Sequence, residues 1–385
     1  MKRKTNYPKY ILLASFFMIF LFYFFPKKEE IKEIKLGASL PLSGINQNLG
    51  EEIVTGIKAC FNHINAKGGI KGKKIKFIYY DDKYEPEITL TNTQKLLLED
   101  KVFSLFGFVG TPTVKKILPI IRKTDIPFIA PYTGAKFLRD NTMGNIVNFR
   151  SSYEEEIDTL VEYLVKNKNF KKFSIFYQND DYGKEGYMAL MKALKSRGLH
   201  LSSEGTYKRN TLFVKQAIYD INSNKPEAII LVGAYKPTAR FIKKAQESSL
   251  KNTIFCPISF VNADALMKEL NDRGENIIFS QTAPSYDSNT EIAKEYLKML
   301  EFYYPGHKPT FASFEAFLAA KCVVKALKKI DKHIDREEFL YNIKHLTSND
   351  LPGITIKYKN SQLLNKVYLL IYTNKKFETI CEKDI

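Results

Sequence analysis

Residues 102–123 read "VFSLFGFVGTPTVKKILPIIRK", and this stretch decides the fold. The apolar run from Val102 to Phe108 has the length and composition of a buried strand. The chain then turns through Gly110, Thr111 and Pro112 and continues as a helix from Thr113 to Lys123. Thr followed by Pro is a helix-start signal: Thr111 suits the N-cap and Pro112 the first helical position. Gly110 lets backbone come close to whatever lies above it. A strand that hands over directly to a helix is the building unit of a parallel sheet.

The same unit recurs outward in both directions. Strand patterns fall at 34–40, 74–81 and 127–131, with helical patterns at Glu51–Ala66 and Pro86–Glu99 between them. After an irregular stretch, Tyr132 to Ser152, the alternation resumes. Strands are expected at 173–177, 227–233 and 253–257, and helices at Gly183–Arg197, Phe213–Asn222 and Pro237–Gln246. The second series closes near 276–284. Two helical patterns follow (Ile292–Tyr303, Phe311–Lys329), then strand-like segments at 353–359 and 366–373. The fold class is therefore α/β, with two doubly wound parallel-sheet lobes, and 385 residues is the length of two cores rather than one. In such sheets ligands bind beyond the carboxyl ends of the strands, where helix N-termini present free N–H groups. Thr111 stands at such a place.

The formal charge of +17 raises a nucleic-acid reading. It is carried mostly by scattered lysines, with only nine arginines among the 59 basic residues. Dispersed Lys marks a solvated surface, so no nucleic-acid partner is expected. Lys2, Arg3, Lys4 and Lys9 precede the apolar run "YILLASFFMIFLFYFF" (10–25), the pattern of an export signal. No small-residue cleavage site follows, so residues 1–33 are read as an uncleaved anchor and short tether on the outer face of the inner membrane. Secretion to the periplasm after cleavage is the alternative. Cys60, Cys256, Cys322 and Cys381 form no C-x-x-C, and Cys60 and Cys322 fall on apolar helical stripes, where a free buried thiol is expected. The five histidines show no metal spacing and no nucleophile with a base beside it. "GASLPLSG" lacks a glycine-rich phosphate loop. No metal, no cofactor and no enzymatic activity are expected.

At "LPLSG" (40–44), "TGIKACFNHINAKGGIKGKKI" (55–75), "YYDDKYEP" (79–86), "FGFVGTPT", "PFIAPYTGAKFLR" (127–139), "FYQNDDYGKEG" (176–186) and "VGAYKP" (232–237), the sequence resembles the periplasmic Leu/Ile/Val-binding protein family. These are the solute receptors of branched-chain amino-acid-type ABC importers, and the resemblance covers roughly residues 34–373. It implies two lobes joined by a three-segment hinge: 34–150 with 284–350, and 151–283 with 351–385. Matched position by position, it puts the carboxylate-binding hydroxyl on Thr111, further contacts on Tyr132 and Gly134, and second-lobe tyrosines on Tyr182 and Tyr235. Leu49 matches a wall position, and Ser43 closes the first strand with ligand contact possible. Thr133 offers a hydroxyl one place before Gly134, where the family commonly has one.

The largest departure is at "CPISF" (256–260). Where amino-acid binders place a glutamate for the ligand ammonium, this chain has Ile258, then Ser259 and Phe260. A buried ammonium without a counter-charge is costly, so an amino-acid site should supply one. Asp180 or Asp181 is a candidate stand-in, with shaping of the turn before Gly183 as the plainer role. Arg150 is assigned to the hinge crossing. The resemblance thus implies a monomeric receptor for a small carboxylate- or amide-bearing ligand, possibly amino-acid-like, that serves an ABC permease. A sensor signalling to a membrane partner is the alternative.

Overall fold

The computed structural model describes residues 32–380. The expected anchor and Cys381 lie outside them, and among the described residues no helix is long and apolar enough to cross a membrane.

β1 (Ile34–Leu40) lies between β2 (Ile75–Asp81) and β3 (Ser104–Phe106), parallel to both, with Ile34 opposite Ile75 and Leu36 opposite Ser104. β4 (Phe128–Ile129) and β5 (Ile146–Val147) complete a parallel sheet of order β2-β1-β3-β4-β5. The connecting helices are α1 (Gln47–Ala66), α2 (Pro86–Leu98) and α3 (Thr111–Lys123). Leu105, Phe108, Val114, Ile117, Ile121 and Phe128 pack into one core between this sheet and α3.

The second lobe starts with α4 (Tyr153–Lys168), followed by β6 (Phe173–Gln178), α5 (Asp181–Lys195) and β7 (Leu201–Tyr207). α6 (Lys215–Asn222), β8 (Ala228–Val232), α7 (Tyr235–Gln246), β9 (Ile254–Pro257) and α8 (Ala263–Glu269) complete the winding. The strand order is β7-β6-β8-β9, all parallel. A parallel bridge, Phe255 to Ile277, joins β9 to an antiparallel trio, β10 (Ile278–Gln281), β11 (Tyr368–Thr373) and β12 (Lys376–Thr379). Between β10 and β11 the chain returns to the first lobe as α9 (Glu291–Tyr303), α10 (Phe311–Lys328) and α11 (Arg336–Lys344). α10 crosses α1 in backbone contact: a Cβ on Gly56 would lie 1.9 Å from the Ser313 carbonyl oxygen. At the hinge, 148–149 pairs with 361–364 through Asn148 N–H to Ser361 O (2.8 Å) and Leu364 N–H to Phe149 O (2.9 Å).

Several expectations need correction. Thr111 does not cap α3: Gly110 holds the N-cap position, Thr111 is already helical, and no side chain caps this end. α1 begins at Gln47, one turn earlier than its apolar pattern. Residues 353–359 form no strand, only isolated bridges such as Thr347 to Lys357. α4 was hidden in a polar stretch; it starts with a capping box in which Ser152 accepts from Glu155 N–H and Glu155 reaches back to Ser152 N–H. Cys60, Cys256 and Cys322 are free and buried, and burial pushes the Cys60 thiol up to about 12.

Candidate functional site

The site is built at the carboxyl ends of β3 and β4, opposite the ends of β6, β8 and β9. Thr111 is fully buried, and its Oγ1 lies 2.7 Å from Thr133 Oγ1. Thr133 also accepts from the Tyr153 hydroxyl at 3.3 Å. The two threonines and the first residue of α4 therefore make one hydroxyl cluster at the N-terminus of α3. Gly134 belongs to its frame: its carbonyl accepts from Tyr153 N–H (2.9 Å), and a Cβ there would stand 2.5 Å from the Tyr153 ring. A side chain at this position would therefore displace the start of α4, and the nearby hydroxyl comes from Thr133 instead.

Aromatic rings from both lobes close over the cluster. Phe260, in the turn after β9, has its ring 4.6 Å from Tyr182, 6.0 Å from Tyr132 and 6.1 Å from Tyr84. Tyr182, in the first turn of α5, is also 5.4 Å from Tyr153. Tyr132, Tyr182, Phe260 and Leu49 are all buried, as is Tyr235 at the start of α7, whose phenol burial pushes up to about 12. The structure thus brings Thr111, Tyr132, Thr133, Gly134, Tyr182 and Phe260 together. Ser43 is not among them: its hydroxyl binds Asp81 at 2.6 Å.

Beneath the rings lies a buried ionic network. The Arg150 guanidinium stacks 3.9 Å from the centre of the Tyr132 ring. It donates through Nε and Nη2 to Glu315 (2.9 and 3.0 Å) and through Nη2 to Ser259 Oγ (2.9 Å), leaving Nη1 without a partner. Ser259 in turn donates from N–H and Oγ to Glu156 (2.8 and 2.9 Å), which also accepts from Ser280. Desolvation alone would lower the Arg150 pKa, but Glu315, Tyr132 and Glu156 outweigh it and hold the group raised and charged. Burial raises the Glu156 carboxyl, against Arg150 and the serine donors. Ser259 is therefore a rung in this network rather than a free hydroxyl. Both buried carboxylates are spent: Glu315 also accepts from Thr282.

Asp180 is committed too. It caps α5, accepting from Tyr182 N–H (3.0 Å) and Gly183 N–H (3.5 Å), and burial raises its pKa. Asp181 pairs with Lys115 of α3 at 2.7 Å. Ile258, where the resemblance implies a glutamate in amino-acid binders, is buried and apolar. Further ties cross between the lobes: Arg209 to Glu85 (2.9 Å), Asn262 to Asn48 (3.0 Å) and Phe311 N–H to Asp264 (2.8 Å). The lobes are closed on one another.

Among the described residues no cluster of His, Cys, Asp and Glu is arranged to hold a metal. A cavity of about 20 Å³ lies beneath Tyr132, against Ile57, Phe106 and Glu315. A larger groove of about 500 Å³, lined by Lys136, Arg139, Glu154, Lys192 and Gln362, runs along the back of the hinge, away from the aromatic cluster. Sequence reasoning missed Tyr84, Tyr153, Glu156 and Glu315. Only Tyr153 carried a local signal, since it follows Ser152 within the Ser152-x-x-Glu155 capping pattern that starts α4.

A family profile described as "Periplasmic binding protein" matches residues 33–376. "Leu/Ile/Val-binding protein homolog 7" of Brucella suis is 22% identical over 316 residues, covering 77% of each chain. The crystal structure of a possible leucine/isoleucine/valine-binding protein from Rhodopirellula baltica superposes with a TM-score of 0.86 at 31% identity, over 92% of this chain and 98% of that one. A solute-binding protein of an ABC transporter from R. palustris, in complex with benzoate, shares the fold at TM-score 0.78 and 19% identity, over 90% and 95%.

Proposed function

The chain belongs to the periplasmic binding protein family, and from that premise we propose that it is an extracytoplasmic receptor for a small carboxylate- or amide-bearing solute, serving an ABC importer. The ligand's oxygens are held by the Thr111–Thr133 hydroxyl pair at the N-terminus of α3, and its body by Tyr132, Tyr182, Tyr235 and Phe260, with Leu49 as a wall. The observation that carries this reading is the 2.7 Å hydroxyl pair enclosed by rings from both lobes. A helix N-terminus with two hydroxyls favours an oxygen-rich, anionic group.

The same geometry argues against a requirement for an ammonium. Glu156, Glu315 and Asp180 each already accept two or more hydrogen bonds, and Ile258 brings no charge. Acids without an amine, as in the benzoate complex of the R. palustris protein, fit such a lining. Closure is a population shift: the ligand bridges both lobes only in the closed form and stabilises it there. The basic and apolar residues 2–25 support an anchor that keeps the receptor beside its permease.

Native mass spectrometry of the soluble part identifies co-purified solute, and a thermal-shift panel of carboxylates, amides and amino acids then ranks the classes. Thr111→Ala is expected to weaken binding about tenfold or more, the loss of one hydrogen bond to a charged group. Unchanged affinity in that variant removes Thr111 from the site, and strong stabilisation by Leu, Ile or Val overturns the reading of Ile258.

A further inference from the structure

The loop after β2, Asp81 to Glu85, has a backbone that needs explaining. Lys83 (φ 53°) and Tyr84 (φ 61°) are consecutive non-glycine residues in the left-handed region. Such a pair persists only where the surroundings fix it. Here two aspartates do so. Asp81 Oδ1 accepts from Leu42 N–H and Lys83 N–H, both at 2.9 Å, and Asp82 Oδ1 accepts from Tyr84 N–H at 2.9 Å. Asp82 Oδ2 is itself held by Ser39 (2.8 Å) and Thr89 (3.0 Å).

The effect of this scaffold is to drive Tyr84 into the cleft. Its ring lies over the N-terminus of α3, so close that a Cβ on Gly110 would stand 2.3 Å from Cε2. The close approach that Gly110 permits is therefore made by Tyr84. On its other side the ring faces Phe260 of the second lobe, and only 1% of the residue is exposed. Yet its hydroxyl has no hydrogen-bond partner. The Gln178 side chain lies beside the oxygen, but its amide is given to Asp180 (2.7 Å) and its carbonyl oxygen to the Tyr207 hydroxyl (3.0 Å). Nothing accepts the proton. Buried hydroxyls are almost always paired, and one steered inward by a constrained backbone and left unpaired points to a partner that is not part of the chain.

We infer that Tyr84 is a specificity-determining residue of the cleft, whose neutral hydroxyl donates a hydrogen bond to an oxygen substituent of the ligand other than its carboxylate. This deepens the receptor reading above and rests on it. The ligand class is then a hydroxy- or oxo-substituted carboxylic acid rather than a plain one. A site built to pair with such an oxygen discriminates against the analogue lacking it, because a buried polar group is then left unpaired.

The test measures affinity by calorimetry for matched probes, benzoate with 4-hydroxybenzoate and 4-methylpentanoate with its 2-hydroxy and 2-oxo derivatives. Parent and Tyr84→Phe are compared, with the thermal midpoint of the free variant checking its fold. In the parent at least one oxygenated probe is expected to bind about tenfold or more tightly than its plain counterpart. In Tyr84→Phe that preference should collapse while the plain acid binds as before. Equal losses for both members of a pair, or an unaltered preference, overturn the assignment of Tyr84 and leave the receptor reading standing. If none of these acids binds the parent, the carboxylate-receptor reading itself fails and takes this inference with it.

Discussion

Replacing Glu315 by Gln tests the ionic network under the cleft. Glu315 takes two hydrogen bonds from Arg150, at 2.9 and 3.0 Å, and one from Thr282 at 2.9 Å, with side-chain exposures of only 1% for Arg150 and 6% for Glu315. Gln keeps the volume and one acceptor oxygen. Its NH2 group, however, faces a guanidinium N–H in either orientation, and the Thr282 hydroxyl as well when it takes the Oε2 place, and the neutralising charge is gone. Arg150 then retains only Glu156 as a counter-charge, reached through Ser259. Removing one partner of a buried pair costs about 3–5 kcal/mol, because the other is left uncompensated in a poor dielectric. At roughly 2.1 cal/mol/K per residue, a body of about 350 residues unfolds with ΔS near 0.7 kcal/mol/K, so the midpoint should fall by about 4–7 °C. Differential scanning calorimetry reads this directly. The double variant Arg150→Met/Glu315→Gln removes both charges and should recover a good part of the loss. A fall of less than about 1 °C in the single variant, or strictly additive losses in the double, would refute the claim that charge compensation holds this floor together.

Other consequences follow from single positions. Burial raises the Asp264 carboxyl to about 7, against hydrogen bonds from Phe311 N–H and Tyr286 and with Glu52 adding to the rise. For an acid raised on folding, the stabilising contribution is complete below the unfolded pKa near 4 and is lost as pH rises toward 7, by about 4 kcal/mol over those three units. The thermal midpoint of the parent should therefore fall more steeply between pH 4 and 7 than that of Asp264→Asn; parallel profiles would discount the group. Gly110→Ala combines a φ of 101° with a 2.3 Å approach to Tyr84, and it should lower stability by more than the roughly 1 kcal/mol of a strained site alone, as measured by urea unfolding. Phe260→Ala empties the centre of the aromatic cluster and should cost about 3–5 kcal/mol; a cost below about 1 kcal/mol would mean that the neighbouring tyrosines collapse into the space.

The alternation of β and α elements was legible because it depends on short-range periodicity, and the stretch 102–123 carried it in miniature. Failures came where geometry is set by side chains rather than by pattern. Thr111 looked like an N-cap because its hydroxyl precedes Pro112, but Gly110 takes the non-helical turn at φ 101° and frees that hydroxyl for Thr133. The same substitution of roles runs through the site. Ser259 and Asp180 offered polar atoms to a ligand in the sequence; in the fold Glu156 and Arg150 claim the first and the start of α5 the second. Arg150 and Glu315 are 165 positions apart, and no spacing rule connects them. Tyr84 is the sharpest case, since its inward turn depends on two left-handed residues pinned by aspartates that themselves read as an ordinary turn. Polar residues at strand ends are thus easy to find and hard to assign, because the folded protein consumes most of them in holding its own cleft. The ones it leaves over beside the aromatic cluster, Tyr84 Oη and Arg150 Nη1, are the atoms on which the proposed recognition of an outside molecule would turn.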